Sequence, residues 1–241
     1  MLKVELHSHT SDDPLDRIPH TTTELIDAAV ALGYQALAIT LHERQLDITS
    51  HVPYAAERGL VLIPGIEQTI EGRHVLLLNF RRGTEQVRTF ADLERLTTRE
   101  PGLVVAPHPY FPLRSCLGKD LDRWSSLFHA VEVNAMFTTA INFNRRAARW
   151  AAQHGKPLVG NGDVHRLEQL GRTYSLVDAE PNAEAICDAI AAGRVQVIAE
   201  PLSWITAARF MATLFGEDLR LHWAPRSEAS RLPRSEQERA R

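Results

Sequence analysis

Leu2-Lys3-Val4-Glu5-Leu6-His7-Ser8-His9-Thr10 decides how the rest of the chain is read. Its first half is a short strand, and the two histidines stand two residues apart where that strand ends. Alternate residues of a strand point the same way, so both imidazoles can reach one cation. The same ending recurs along the sequence. His42 follows Ala38-Ile39-Thr40-Leu41, Glu67 follows Leu62-Ile63-Pro64-Gly65-Ile66, and His108 follows Val104-Val105-Ala106-Pro107. Asp163 and His165, again two apart, follow Leu158-Val159-Gly160-Asn161-Gly162.

The stretches between these endings set the fold class. Strands are expected over 4–7, 36–41, 60–66, 74–80, 103–107, 130–135, 157–160, 174–177 and 195–198. Several are continuous apolar runs, the pattern of a strand buried on both faces, as in a parallel sheet covered by helices. Helical stretches separate them. Thr21 and Glu24 have the spacing of a capping box, followed by the stripe Leu25, Ile26, Ala29 and Val30, with Gly33 as the stop. A second helix is expected over 144–154 and a third over 183–192, each followed by glycine. Strand and helix alternating in this way predict an α/β fold, most plausibly a barrel. In a parallel barrel the carboxyl ends of the strands converge on one face, where such folds place their active sites. One histidine at a strand end is ordinarily structural; seven acidic or imidazole residues at the same end are not readily accidental.

The donor types narrow the chemistry. Imidazole with carboxylate suits zinc, manganese or iron better than magnesium or calcium, which prefer all-oxygen shells. There are more donors than one tetrahedral ion can use, which implies two or three divalent transition-metal ions, with Glu67 as the shared carboxylate.

Composition excludes several alternatives. The 241 residues are 44% hydrophobic and 24% charged, ordinary for a globular chain. A net charge of −3 gives no general basic surface for nucleic acid. Cys116 and Cys187, the only cysteines, have no metal-ligand spacing, and a reducing cytoplasm is the default expectation. No apolar run approaches membrane-spanning length, and the opening residues have no leader pattern. The barrel is expected over 1–204 and a docking helix over 205–224. The stretch 225–241, with five arginines against three glutamates after Pro225, is expected to be a disordered tail.

Glu5-Leu6-His7-Ser8-His9-Thr10, Ile39-Thr40-Leu41-His42, Gly65-Ile66-Glu67, Pro107-His108-Pro109 and Gly162-Asp163-Val164-His165 resemble, in order, the motifs of the PHP (polymerase and histidinol phosphatase) family. The resemblance spans roughly residues 3 to 178. It implies a distorted (β/α)7 barrel of the TIM-like kind, with the metal site at the carboxyl ends of its strands, and phosphoester hydrolysis. Carried over, His7, His9, Glu67 and Asp163 would hold the first metal, Glu67 and His108 with His74 the second, and Asp13, His42 and His165 the third. Two positions depart from the family pattern. Leu41 stands where an acid is usual, and Ser11-Asp12-Asp13-Pro14 leaves the acidic ligand open, Asp13 being preferred to Asp12 and Asp16 the outsider.

The expected mechanism is attack on phosphorus by metal-activated hydroxide, with Glu67 bridging and His165 or Asp13 protonating the leaving oxygen. A small-molecule phosphomonoester is the first expectation for the substrate. A nuclease or nucleotide phosphodiesterase is the alternative, to which Tyr110, Phe111, Arg114 and Arg123 would contribute a groove; a non-catalytic regulatory metal module is the third reading. Nucleic acid is thus a less favoured partner than a small phosphoester or nucleotide, and a membrane is not expected. Asn134 points at the same face as a potential donor to the ligands, and His20 is within reach of a substrate. Arg44, Arg114, Arg145 and Arg172 are potential phosphate clamps, each more readily a surface ion-pair partner. His51, His129, His154 and His222 carry no functional expectation.

Overall fold

The computed structural model describes residues 1–210. In chain order the elements are β1 (Leu2–Glu5), α1 (Thr22–Ala31), β2 (Ala36–Ile39), α2 (Val52–Ala56), β3 (Val61–Ile70), β4 (Arg73–Leu78), α3 (Phe90–Arg99), β5 (Leu103–Ala106), α4 (Asp120–Arg123), β6 (Ala130–Asn134), α5 (Asn144–His154), β7 (Leu158–Asn161), β8 (Thr173–Val177), α6 (Ala183–Ala191) and β9 (Val195–Ala199). Each of the nine expected strands is present, with ends shifted by a few residues.

The helices begin and end where local chemistry satisfies their free backbone groups. Thr21 and Glu24 form the reciprocal capping box at α1. Asn182 caps α6 by accepting the Ala185 N–H at 2.8 Å. Helix α3 was not anticipated, although its signal is of the same kind: Thr89 accepts the Asp92 N–H and the Asp92 carboxylate accepts the Thr89 N–H. Aspartate in place of the usual glutamate or glutamine disguised the box.

The strands form one sheet in the order β7-β6-β5-β4-β3-β2-β1-β8-β9. It is not wholly parallel, which corrects the expectation. β4 runs against β3 and β5, and β8 runs against β1 and β9, so seven strands share one direction and two oppose it. The reversal at β4 has a local cause. Glu71 and Gly72 both have positive φ (50° and 78°), the requirement of a two-residue hairpin turn, and Ile70 pairs with Arg73 across it.

The sheet curls until its ends nearly meet. Ser175 of β8 accepts the Gly160 N–H of β7 at 2.9 Å and donates to the Gly160 carbonyl at 3.1 Å. A Cβ at residue 160 would stand 2.7 Å from the Tyr174 carbonyl oxygen, so only glycine allows this closure. The result is a nearly closed barrel.

The continuous apolar runs are buried on both faces. Leu76 and Leu78 of β4 belong to the inner cluster with Val4, Ala38, Ile63 and Val105, whereas Val75 and Leu77 pack outward against Phe90, Leu93 and Val104. Helix α6 sends Ile186, Cys187, Ala189 and Ile190 into the inner cluster. That cluster collects the first residues of the forward strands, so α6 closes the end opposite the histidines. Met1–Leu202 form one compact unit. Ser203 opens a second, in which 204–210 are helical and Ser203 accepts the Thr206 N–H at 3.1 Å. The rest of the expected docking helix and the expected tail lie outside the described residues. Among the described residues no helix is long and apolar enough to cross a membrane.

Candidate metal centre

At the barrel mouth the chain continues to pair beyond its strands. Ser8 bridges Val164 in parallel, with His9 N–H to Val164 O at 3.0 Å and Val164 N–H to His7 O at 3.1 Å. The His7/His9 pair and the Asp163/His165 pair are therefore held side by side, although about 156 residues separate them. His42 bridges Glu67 in the same way. His74 reaches the cluster for a different reason: β4 is antiparallel, so its first residues lie at the end where the parallel strands finish.

Glu67 lies at the centre, almost fully buried. Its Oε2 is 3.2 Å from His7 Nε2, 3.5 Å from His9 Nε2 and 3.1 Å from His42 Nε2. Its Oε1 is 2.7 Å from His74 Nδ1 and 3.2 Å from His108 Nε2. Asp163 Oδ1 faces His7 Nε2 at 3.3 Å and His9 Nε2 at 3.7 Å. Separations of this size fit ligands sharing a cation, since bonds of about 2.0–2.2 Å put neighbouring ligands roughly 3–3.5 Å apart. A second observation agrees. His7 Nε2, His9 Nε2 and His74 Nδ1 are buried and make no hydrogen bond, despite the carboxylates beside them. Buried polar atoms without partners are expensive, and lone pairs converging on one point are satisfied by an ion. The residues present thus fit divalent metals.

The electrostatics point the same way. Burial opposes protonation of His7, yet Asp163, Glu67 and Glu132 outweigh it and hold its pKa well above the usual range. Burial likewise opposes ionisation of Glu67, but His74, His7 and His42 keep it well below the carboxylate range. His42 is pushed up to about 11; burial works against that shift, and Glu67 and Asp13 prevail. His9 moves down through burial and through the neighbouring His165 and His42. Cations and buried imidazolium satisfy the same excess of negative charge, so metal binding would displace these protons.

The outer ring nitrogens have their own partners. His9 Nδ1 meets Asp13 Oδ2 at 3.0 Å, and His42 presents both its backbone N–H (2.9 Å) and Nδ1 (3.1 Å) to the same oxygen. Asp13 Oδ1 accepts the N–H groups of Leu15 and Asp16, both at 2.9 Å. Asp13 thus touches both His9 and His42, and the three form a group whose donor atoms could hold a metal ion. Asp16, the outsider in the sequence, stands 3.0 Å from His165 Nε2 and 3.7 Å from His42 Nδ1. His42 and His165 lie on the same side of the mouth, ring centroids 6.2 Å apart. His108 Nδ1 rests against the buried Cys116 Sγ at 3.4 Å.

Glu132 was missed by sequence reasoning. It is fully buried. Its Oε1 faces His7 Nδ1 at 2.9 Å and accepts from Asn161 Nδ2 at 2.9 Å. Its Oε2 accepts the His108 N–H at 2.7 Å and Asn134 Nδ2 at 3.3 Å. The available signal was an acid in the middle of the otherwise apolar strand Ala130-Val131-Glu132-Val133. Glu5 was missed likewise. Burial pushes its carboxyl up to about 8, and it accepts the N–H groups of His7 (3.1 Å) and Gly162 (2.9 Å). A Cβ at residue 162 would stand 2.7 Å from Val164 Cγ2 and 3.1 Å from the Glu5 carboxylate, which explains the glycine. Asp163 (φ 51°) and His108 (φ 28°) occupy the left-handed region, strain of the kind that gathers at functional sites.

Other expected residues fall as follows. Asn134 donates to Asp163 Oδ2 at 3.0 Å. His20 is buried and bonds the His9 carbonyl through Nε2 at 2.9 Å, so it braces the first loop. Arg44 and Arg145 bond the carbonyls of Asp12 and Thr139, and Arg114 and Arg172 are exposed.

A family model described as PHP-associated matches residues 142–195. That match covers the segment of the chain from α5 through α6. Similar solved folds surround the chain. PsfC from Pseudomonas syringae PB-5123 aligns with a TM-score of 0.61 at 18% identity over 90% of this chain and 98% of its own. A protein of Bifidobacterium adolescentis described as a metal-dependent phosphoesterase gives 0.54 at 16%, over 68% of this chain and 87% of its own. The lesion-specific endonuclease PfuEndoQ of Pyrococcus furiosus gives 0.54 at 15%, over 81% of this chain and 57% of its own. At such identities the likeness is one of fold. No curated protein sequence matches the chain.

Proposed function

We propose that this PHP-type protein is a metal-dependent phosphoesterase acting on small phosphomonoesters. The observation that carries this reading is Glu67, whose two oxygens divide five imidazoles into two groups. His7, His9, Asp163 and Glu67 would hold one divalent transition-metal ion, and Glu67, His108 and His74 a second. Zinc, manganese and iron suit these donors. Bound there, the ions would supply a Lewis acid to the phosphoryl oxygens and lower the pKa of water.

The chain's own groups do the rest. Glu132 fixes the proton of His7 at Nδ1 and so directs Nε2 inward, and Asp13 does the same for His9. Asp13 already faces His9, His42 and two backbone N–H groups, so the proton for the leaving oxygen is assigned to His165. Its Nε2, beside Asp16, can hold that proton; burial opposes protonation, but Asp16 and Asp163 raise the pKa. The same imidazole and Asp16, with His42, would seat a third ion. The two roles exclude each other.

Metal-free protein reloaded with zinc, manganese or iron is the test. At least two ions per chain should bind, and phosphate should be released from sugar phosphates, nucleotides or histidinol phosphate. One ion or fewer at saturation ends the multinuclear reading. A third ion lost on His165→Ala would remove His165 as the proton donor.

A further inference from the structure

Phe111 and Phe143 enter the mouth from different strand exits, the loops after β5 and β6. Phe111 stands edge-on to His108, ring centroids 6.3 Å apart at 73°, and Phe143 lies 5.3 Å beyond Phe111 at 52°. The neighbouring Tyr110 packs against the apolar core, whereas Phe111 belongs to none of the core clusters. Phe143 is 37% exposed.

Phe143 has no capping task at its backbone position: its φ and ψ are already helical (−72° and −20°), and Asn142 before it accepts the Asn144 N–H at 3.0 Å. Its ring belongs to none of the core clusters and packs on Phe111 instead. The two rings are held on fixed supports. The Phe111 N–H bonds the His108 carbonyl at 3.2 Å, and the Arg146 guanidinium of α5 lies 4.1 Å above the Tyr110 ring, joining the loop after β5 to the helix that Phe143 precedes.

We propose that Phe111 and Phe143 bind a flat aromatic ring in the alcohol part of the substrate, so that the site prefers phosphate esters of ring-bearing alcohols to plain sugar phosphates. The reading rests on the phosphoesterase assignment above. A phosphoryl group beside His108 leaves the adjoining part of its ester over Phe111 and the part beyond it against Phe143. Rings of this kind accept any flat π-face without reading its edge.

The test compares adenosine 5′-monophosphate with ribose 5-phosphate, which differ by the base alone. In the metal-loaded protein KM should be about tenfold or more lower for the nucleotide. Phe143→Ala should abolish that difference by raising KM for the nucleotide far more than for ribose 5-phosphate, and Phe111→Leu, which keeps apolar volume, should narrow it. An unchanged ratio in both variants overturns the proposal. Saturation-transfer NMR with adenosine and ribose needs no turnover. Adenine protons should be saturated by the wild-type protein and much less by Phe143→Ala, and ribose alone should give no signal. Phosphate release from neither ester sinks the phosphoesterase assignment, and the NMR result still decides the ring site: no adenine saturation, or saturation unaffected by Phe143→Ala, refutes it.

Discussion

Replacing Glu132 by glutamine changes one atom and should dismantle the first metal's ligand sphere. The carboxylate receives four donors, His7 Nδ1 and Asn161 Nδ2 on one oxygen and His108 N and Asn134 Nδ2 on the other. Glutamine has one carbonyl oxygen, so its amide group must face one of these pairs. Turned toward His108, it confronts a backbone N–H that cannot reorient. Turned toward His7, it forces the imidazole proton to Nε2, the atom aimed at Glu67 and Asp163. Each buried donor left facing the amide costs about 1–3 kcal/mol, equivalent to a fall of roughly 2–4 °C in Tm per kcal/mol for a chain of this size. Removing the partner that orients a ligating histidine typically weakens metal binding about 10–100-fold. Glu132→Gln should therefore retain less metal than wild type after dialysis against graded chelator, read by elemental analysis, and should melt several degrees lower when metal-free. Wild-type metal retention in a variant with a wild-type melt would refute the four-donor account. Asn161→Ala, which removes one donor and leaves the His7 contact, should show a milder loss of metal.

Cys116→Ala should weaken the second ion severalfold while leaving the first in place, because only His108 loses its outer partner; equal loss of both ions in a chelator titration would contradict this. Thr89→Ala should cost about 1 kcal/mol by opening the α3 capping box, lowering Tm with metal content unchanged, since Thr89 bonds Asp92 rather than any group of the cluster; an unaltered melt would mean that α3 does not depend on its cap.

The positions of most donors follow from local rules. His7, His9, His42, His108, Asp163 and His165 each come at or just after a run of Val, Leu, Ile or Ala that folds as a strand, and period-2 alternation with Gly or Pro punctuation is a property of the chain segment alone. The continuous apolar runs correctly indicated a sheet covered on both faces, because a strand such as β4 must satisfy α3 outside and the barrel interior within. What the sequence could not give was direction and adjacency. β4 reverses on the two-residue turn at Glu71 and Gly72, which brings His74 to Glu67, and a seven-residue separation in sequence does not encode that reversal. Glu132 reads as one acid in an apolar strand until Asn161, His7 and His108 arrive from β7 and from the exits of β1 and β5. Asp13 and Asp16 lie in one loop with similar local context. Only closure of the barrel places Asp13 under His9 and His42 and Asp16 beside His165. Residue type and period are local, whereas which lone pairs meet is fixed by long-range pairing, above all the bridge between Ser8 and Val164.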